Sequence, residues 1–180
     1  MSWDALVVGG GAAGMMAAGT AAERGLRVCL LEKNAVLGRK LRITGKGRCN
    51  VTNRCDVRTL IASVPKNGRF LFGAVSRFAP EDTVAFFESR GLPLKTERGN
   101  RVFPVSDRAA DVAECLEKYV RESGARVTRG EAERLLLENG AVRGVALKDG
   151  REIPARSVAV CCGGASYPST GSTGAGYRLP

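Results

Sequence analysis

Three glycines and one acid carry the first chemical signal in this chain. Gly9, Gly11 and Gly14 stand in the spacing G-x-G-x-x-G, and Glu32 follows downstream. Glycines so spaced do three separate things. Gly9 permits a tight turn, Gly11 lets a phosphate approach backbone where a Cβ would collide, and Gly14 lets a helix lie close to a sheet. A helix opening at that point presents free N–H groups and partial positive charge to a pyrophosphate. A carboxylate at Glu32 can accept hydrogen bonds from an adenosine ribose. An acid there, rather than an arginine, disfavours a 2′-phosphate and leaves NAD and FAD both open.

That chemistry needs elements to position it. Ala5 to Val8 is an apolar run without polar interruption, as a strand buried on both faces should be. From Ala12 the pattern turns helical, with Glu23 and Arg24 near its end and Gly25 as the stop. Arg27 to Leu31 is a second buried strand, and it ends on Glu32. Strand, turn, helix, strand and acid form one βαβ unit, so the expected class is α/β with a central parallel sheet.

Lys33 to Asn53 is a long, basic, Gly-punctuated loop, and loops of that length in a compact domain are usually functional. Gly38, Gly45 and Gly47 let backbone approach a ligand, and Arg39 and Lys40 can neutralise a pyrophosphate from the side opposite the helix. Thr44, Cys49, Asn50 and Thr52 add hydroxyl, thiol and amide groups. Lys46 and Arg48 would favour a Cys49 thiolate. No second cysteine lies at C-x-x-C spacing, so a small packed loop residue is the favoured reading of Cys49.

Bulk properties exclude several classes. The 180 residues suffice for a real core, and 44% hydrophobic with 26% charged content is ordinary for a globular protein. No apolar run approaches a membrane span, and Ser2, Trp3 and Asp4 precede the first strand where a signal peptide would need its own pattern. The cytosol is the expected compartment. The chain has no histidine, so zinc or non-haem iron sites and Ser-His or Cys-His nucleophile pairs are not expected, and no metal is assigned. The net charge of +10 invites a nucleic-acid reading. Its densest basic group, Arg39, Lys40, Arg42, Lys46 and Arg48, is interleaved with glycine rather than with the aromatics that stack on bases. A solvated basic surface with a pocket for an anionic cofactor is favoured, and nucleic acid is not expected as the main partner.

Downstream, Asp56 to Arg90 is helical in texture. Phe70, Leu71, Ala74, Val75 and Phe78 recur at helical spacing, Pro80 suits a first helical position, and Val84, Phe86 and Phe87 follow before Gly91. These aromatics are expected in the core. Leu94 to Thr96 and Arg101 to Phe103 flank a hairpin turn at Glu97 to Asn100. Ser106 or Asp107 is expected to cap a helix whose stripe is Val112, Cys115, Leu116, Tyr119 and Val120, stopped by Gly124. Arg126 to Thr128 is the next parallel strand. Leu135 to Leu137, Val142 to Leu147 and Glu152 to Ile153 form a meander turned at Asn139-Gly140 and Asp149-Gly150. By analogy, such a meander between parallel strands tilts the choice from NAD to FAD, with backbone near Ala132 approaching the adenine. Ser157 to Cys161 is expected as a further buried strand. Gly163 and Gly164 at its carboxyl end would let a cofactor lie across the sheet.

GGGAAGMMAA, then LLEKNAVLGRKLRITGKGRCNVTN, GNRVFPVSDRAADV (99–112) and VAVCCGGASYPSTGSTGAGY (158–177) together resemble the BaiN/YhiN-like FAD-dependent oxidoreductases. That family includes aminoacetone oxidases and bile-acid dehydro-steroid reductases. The resemblance covers essentially the whole chain. It implies a glutathione-reductase-type FAD/NAD(P)-binding Rossmann-like fold with a β-meander and a helical insertion. Gly9, Gly11, Ala13 and Gly14 would hold the pyrophosphate with Ala12 between them. Glu32, with Lys33 beside it, would hold the adenosine ribose. Arg39, Lys40, Thr44, Gly45, Lys46, Cys49 and Asn50 would line the path of the flavin, Lys46 stabilising an anionic reduced ring. Ala175 stands where many relatives carry Asp, so a polar contact from that turn is not expected here.

The resemblance further implies that residues 1–180 are the N-terminal, incomplete portion of an FAD-binding domain. The cofactor loop would cover 33–55, the helical insertion and hairpin 56–105, and the meander 132–154. The substrate domain and a final FAD-binding segment would lie outside the chain, which alone should be inactive and bind FAD weakly. The expected function is an FAD-dependent oxidoreductase acting on a small organic substrate, with NAD(P)H or oxygen as electron partner. The alternatives are an NAD(H)-binding module and, further off, a basic nucleic-acid-binding or RNA-modifying flavoprotein domain. No catalytic acid or base is assigned.

Overall fold

The computed structural model describes residues 2–179. In chain order the first elements are β1 (Ala5–Val8), α1 (Ala12–Glu23), β2 (Val28–Glu32), β3 (Thr52–Asn53) and α2 (Val57–Ala62). Next come α3 (Phe72–Arg77), α4 (Pro80–Glu88), β4 (Leu94–Glu97), β5 (Arg101–Pro104) and α5 (Ala109–Glu122). The last are β6 (Arg126–Arg129), β7 (Ala132–Glu138), β8 (Ala141–Leu147), β9 (Glu152–Pro154) and β10 (Val158–Val160). The chain divides into two compact units, one of residues 1–41 with 116–180 and one of residues 42–115.

The first unit holds a parallel sheet in the order β10-β1-β2-β6. The two apolar runs take its middle: every residue of β2 is buried, as are Leu6, Val7 and Val8 of β1. Helix α1 packs through a buried face of Gly14, Met15, Ala18 and Gly19, small except for Met15. That face is small for a reason on each side. A Cβ on Gly14 would land on the carbonyl oxygen of Gly9, and one on Gly19 would enter the Tyr119 ring. The Tyr119 hydroxyl donates to Glu23 at 2.9 Å, so the ring that fills the glycine notch is also held at its polar end.

The parallel sheet and the meander share one core. Leu6, Val8, Cys29 and Leu31 pack with Val145, Leu147, Ile153, Ala155 and Leu179. Strands β7, β8 and β9 pair antiparallel in that order. The β7–β8 turn has Asn139 and Gly140 both at positive φ, 52° and 75°, as a two-residue hairpin of matching twist requires. Strand β10 departs from expectation. Val158 and Ala159 are only half-buried and Val160 is 43% exposed. Among the described residues β10 pairs only with β1, so it is an edge strand rather than an interior one.

The second unit holds the antiparallel sheet β3-β5-β4. Its buried apolar residues include Val84 and Phe87 of α4, Val102 and Phe103 of β5, and Ala109, Val112, Ala113 and Cys115 of α5, with Cys49. Pro80 opens α4, and the Asp82 carboxylate accepts from the Ala79 N–H at 2.7 Å. The aromatics of the preceding stretch do not join this core. Phe70 is 88% exposed and Phe78 43% exposed, contrary to the core role that helical spacing predicts. The capping expectation for α5 also fails. Asp107 sits at φ 57° and turns its carboxylate to Arg48 and Lys95 instead, while the Ser106 hydroxyl accepts from Arg108 N–H at 3.4 Å.

Candidate cofactor site

The site begins where β1 runs out. Gly9 takes φ 108°, and its N–H donates to the Leu31 carbonyl at 2.8 Å, so the turn stays tied to the next strand. A Cβ on Gly9 would lie 2.5 Å from the Cys161 carbonyl oxygen. Gly9 and Gly14 are thus glycines because the protein's own backbone crowds them. Gly11 is different. It has an ordinary φ of −78°, and a Cβ built there would meet nothing within 4 Å. It sits at the N-cap of α1, which has no side-chain cap and no acidic residue in its first turn, and Ala12 and Ala13 beyond it are exposed. A helix start with free N–H groups and cleared space above it suits a phosphate.

Glu32 stands beside this start, at the carboxyl end of β2, with 9% exposure. Its Oε2 accepts from the Gly10 N–H at 2.6 Å, and its Oε1 accepts from the Asn34 N–H at 2.7 Å and from Asn34 Nδ2 at 2.6 Å. A carboxylate accepts at about four lone-pair positions, so these three donors leave room for a further one. Gly10 in turn accepts from the Gly38 N–H at 2.8 Å, which folds the start of the basic loop onto the glycine motif. Arg39 donates to Asn34 Oδ1 at 3.2 Å, and Lys40 to the Ser166 hydroxyl at 3.1 Å. Lys33 is half-buried, 3.9 Å from a Glu131 carboxylate oxygen. Just before Ala132, the Gly130 N–H donates to the Glu32 carbonyl at 3.0 Å. Gly163 takes φ 71°, and Gly164 accepts from Gly174 N–H at 3.2 Å. The later glycine Gly171 lies against Asn34 and Lys33.

The first unit therefore brings together Gly9, Gly11, Ala12, Ala13, Gly14, Glu32, Lys33, Arg39, Lys40 and the backbone before Ala132, at the carboxyl ends of parallel strands where α/β sheets bind ligands. Sequence reasoning missed Gly10 and Asn34, which hold the carboxylate. Gly10 was masked by the better-known glycines beside it, and a lone Asn in a loop carries no periodic signal.

Thr44, Gly45, Lys46, Cys49 and Asn50 lie in the second unit. Gly45, Lys46 and Cys49 all have left-handed φ, at 55°, 57° and 59°, and the Cys49 N–H closes the loop onto the Thr44 carbonyl at 3.0 Å. Lys46 and Asn50 are exposed. Cys49 is buried, and burial pushes its thiol above the ordinary range, only partly offset by a hydrogen bond with Thr44. Arg48 does not activate that thiol. Its guanidinium bonds the Glu97 carboxylate and Asp107 Oδ1 and lies 4.3 Å over the Phe103 ring. Those hydrogen bonds hold its proton still more firmly, hold the Glu97 carboxyl below its usual range and, with Lys95 as the larger cause, do the same for Asp107. Cys49 is thus a packed thiol, as its isolation from other cysteines suggests.

Comparison with known proteins places this geometry in a family. Residues 3–180 match the HI0933-like protein Rossmann domain. The chain is 36% identical over 179 residues to the 3-dehydro-bile acid delta(4,6)-reductase of Clostridium scindens, covering 96% of this chain and 42% of that protein. It is 27% identical over 177 residues to the ribosomal RNA dihydrouridine synthase of Escherichia coli, covering 98% and 43%. The 3-ketosteroid-delta4-(5alpha)-dehydrogenase of Rhodococcus jostii superposes with a TM-score of 0.71 at 16% identity, covering 92% of this chain and 47% of that one, which is a likeness of fold. The chain thus spans less than half the length of the curated relatives it matches.

Proposed function

This chain belongs to the HI0933-like Rossmann-domain family, and from that premise we propose that it is the FAD-binding portion of an oxidoreductase acting on a small organic substrate. The cofactor of the family is FAD. One observation carries the reading: the empty volume over Gly11 at the uncapped start of α1, with the Glu32 carboxylate already fixed beside it. A Cβ at Gly11 would fill that volume, while nothing inside the protein requires it to be free.

In this proposal the N–H groups at the start of α1 hold the pyrophosphate, over Gly11, Ala12, Ala13 and Gly14. Glu32 takes the ribose hydroxyls with its remaining acceptor position, and Asn34 and Gly10 keep it aimed. Arg39 and Lys40 supply positive charge near the phosphates, and backbone near Ala132 meets the adenine. Gly163 and Gly164 keep side chains away from the path of the cofactor. We extend the proposal to Thr44, Gly45, Lys46, Cys49 and Asn50 as flavin-side residues. Left-handed backbone at Gly45, Lys46 and Cys49 turns the chain tightly there, and the exposed Lys46 offers a cation to a reduced ring. FAD, when bound, supplies two-electron redox chemistry. The protein's own residues bind it, orient it and tune its charge.

The substrate class is taken by likeness to the Clostridium scindens relative, a 3-dehydro-bile acid reductase, and NAD(P)H or oxygen is the proposed electron partner. The test is a titration of FAD fluorescence with the purified chain, competed with ADP. Saturable quenching that ADP reverses supports the ADP half-site. No saturable signal up to millimolar protein refutes it. Reversal by ADP without any flavin absorption in a longer homologous protein would favour a plain NAD(H) module instead.

A further inference from the structure

After β10 a glycine-rich segment returns to the residues around Glu32. It ends on Leu179, which is buried in the shared core and whose carbonyl accepts from the Leu135 N–H at 3.3 Å. Before that anchor it is tied down twice. The Ser166 hydroxyl accepts from Lys40 Nζ at 3.1 Å. Thr170 is buried, and its hydroxyl donates to the Tyr167 carbonyl at 2.7 Å, while the Gly171 N–H donates to the Pro168 carbonyl at 2.9 Å. This turn sets Gly171, at φ 97°, against the side chain of Asn34. A Cβ on Gly171 would lie 2.8 Å from Asn34 Nδ2 and 3.3 Å from both Asn34 Oδ1 and Lys33 Cε. The amide that Gly171 faces is engaged at both ends: Nδ2 donates to Glu32 Oε1 at 2.6 Å, and Oδ1 accepts from Arg39 Nη1 at 3.2 Å. One carboxamide thus joins the acid assigned to the ribose and a cation assigned to the phosphates.

We propose that Gly171 is a positioning residue for ribose recognition, acting through the Asn34 amide on the Glu32 carboxylate. The inference rests on the assignment of this site to an ADP-containing cofactor. Asn34 is half-buried on a loop, and an amide free to swing would lose rotamer freedom on holding the carboxylate. Backbone packed against it limits where it can go, so Glu32 Oε1 keeps its donor before a ribose arrives. Glycine is required at this position twice over. The φ of 97° strains a residue with a Cβ, and a Cβ 2.8 Å from Asn34 Nδ2 must displace something. What stands in its way is the end of a flexible side chain, so the amide moves and the backbone stays. Nδ2 then leaves Oε1, and the carboxylate can turn from the ribose. The two glycines of the site act on different parts of the nucleotide. A methyl at Gly11 enters the pyrophosphate volume and weakens every ADP compound alike, whereas a Cβ at Gly171 weakens recognition of a ribose hydroxyl.

The experiment is calorimetric titration of the full chain with ADP and with 2′-deoxy-ADP, and the quantity read is the ratio of the two dissociation constants. The 2′-hydroxyl is the one that an acid at the end of the second strand takes. In the parent the ratio should be about 10 or more, the size expected of a hydrogen bond to a charged acceptor. Gly171→Ala should bring it to about 3 or below, the loss of most of that bond. Gly171→Asn should do the same. Asparagine tolerates left-handed backbone, so this variant keeps the turn and the fold while still setting a Cβ against the amide. Asn34→Ala should lower the ratio to a similar value, and adding Gly171→Asn to it should leave the ratio there, as expected of two residues acting on one bond. A parent-like ratio in both Gly171 variants overturns the proposal even if both affinities fall, because an equal loss is the mark of a purely structural glycine. An Asn34→Ala protein with the parent ratio overturns it too, since Gly171 would have nothing to act through. A parent that binds both nucleotides equally removes Glu32 from the ribose, and one that binds neither overturns the cofactor assignment itself; the inference falls with its premise in both cases, and the parent titrations alone distinguish them from its own failure.

Discussion

Gly11→Ala is the sharpest probe of the cofactor reading, because the structure separates its effect on folding from its effect on binding. The new methyl would meet no atom within 4 Å, and the φ of −78° suits alanine. Two small effects on stability oppose each other. Alanine restricts the unfolded chain, which stabilises by about 0.4–1 kcal/mol. Alanine is a poorer N-cap than glycine, which costs about 0.5–1 kcal/mol. The net change is roughly zero, within about 0.5 kcal/mol, so the melting temperature should move by no more than about 2 °C for a chain of this size. Binding is another matter. A methyl in the volume assigned to the pyrophosphate forces the phosphate off the helix N–H groups, and charge-assisted bonds of that kind contribute about 1.5–3 kcal/mol each. The affinity for FAD, and for ADP, should fall at least about tenfold. The control is Gly14→Ala, whose methyl would overlap the Gly9 carbonyl oxygen. It should lose about 1–3 kcal/mol of stability, or roughly 2–12 °C, before any ligand is added. Both quantities come from thermal melts and fluorescence titrations of the same preparations. A Gly11→Ala protein that melts like the parent and binds FAD like the parent would refute the placement of the pyrophosphate.

Three further outcomes follow from other parts of the molecule. Glu32→Gln puts an amide NH₂ against donors on Gly10 or Asn34 and should destabilise by about 1–3 kcal/mol in urea melts; an unchanged midpoint would mean the carboxylate is not engaged as described. Cys49 should alkylate more slowly than free glutathione at pH 8 in the folded chain, reacting only as pH rises further, because burial raises its thiol; mass-mapped labelling with iodoacetamide checks this, and fast labelling would restore the reading of Cys49 as a thiolate favoured by Lys46 and Arg48. The carboxyls of Glu97 and Asp107 are both depressed in the fold, so their stabilising effect is complete above the unfolded carboxylate range and fades as pH falls below about 4. Arg48→Met should therefore flatten the loss of stability on acidification, and a parallel decline in parent and variant would count against the network.

How much of this was legible beforehand depended on whether the deciding interaction was local. The βαβ unit was, because each of its signals is carried by a few adjacent residues. An uninterrupted apolar run makes β1 and β2, a positive φ needs Gly9, and the small face of α1 is written in Gly14, Ala18 and Gly19. The I′ turn at Asn139-Gly140 is equally local. Where the deciding partner is far along the chain, the pattern misleads. Asp107 has the chemistry of a helix cap, yet Arg48 and Lys95 compete for its carboxylate and win with charge. Phe70 and Phe78 have core spacing, but spacing records a stripe and not whether anything covers it. Val158-Ala159-Val160 resembles an interior strand because a run of small apolar residues does not count its neighbours. Asn34 is the exception: its partner, the Glu32 carboxylate, is only two residues away, yet a lone Asn in a loop carries no periodic signal.

Glu32 shows why the glycine, and not the acid, is the better test of function. Its three protein donors come from two residues: Gly10 in the turn after β1, and Asn34, which gives both its backbone N–H and its side-chain amide, at the start of the loop after β2. Removing the charge therefore disturbs the join between strand, turn and loop whether or not a ribose ever binds. The same arrangement is what makes the site effective. A buried carboxylate fixed by protein donors has already lost its side-chain freedom on folding, so a ribose hydroxyl that takes its remaining acceptor position does not have to order it. Preorganisation and structural load thus sit on one residue, and their effects on mutation are inseparable there. Gly11 carries no structural load, since no atom of the protein touches its missing Cβ. An effect on binding at Gly11 with none on folding can arise only from something outside the chain that occupies that volume.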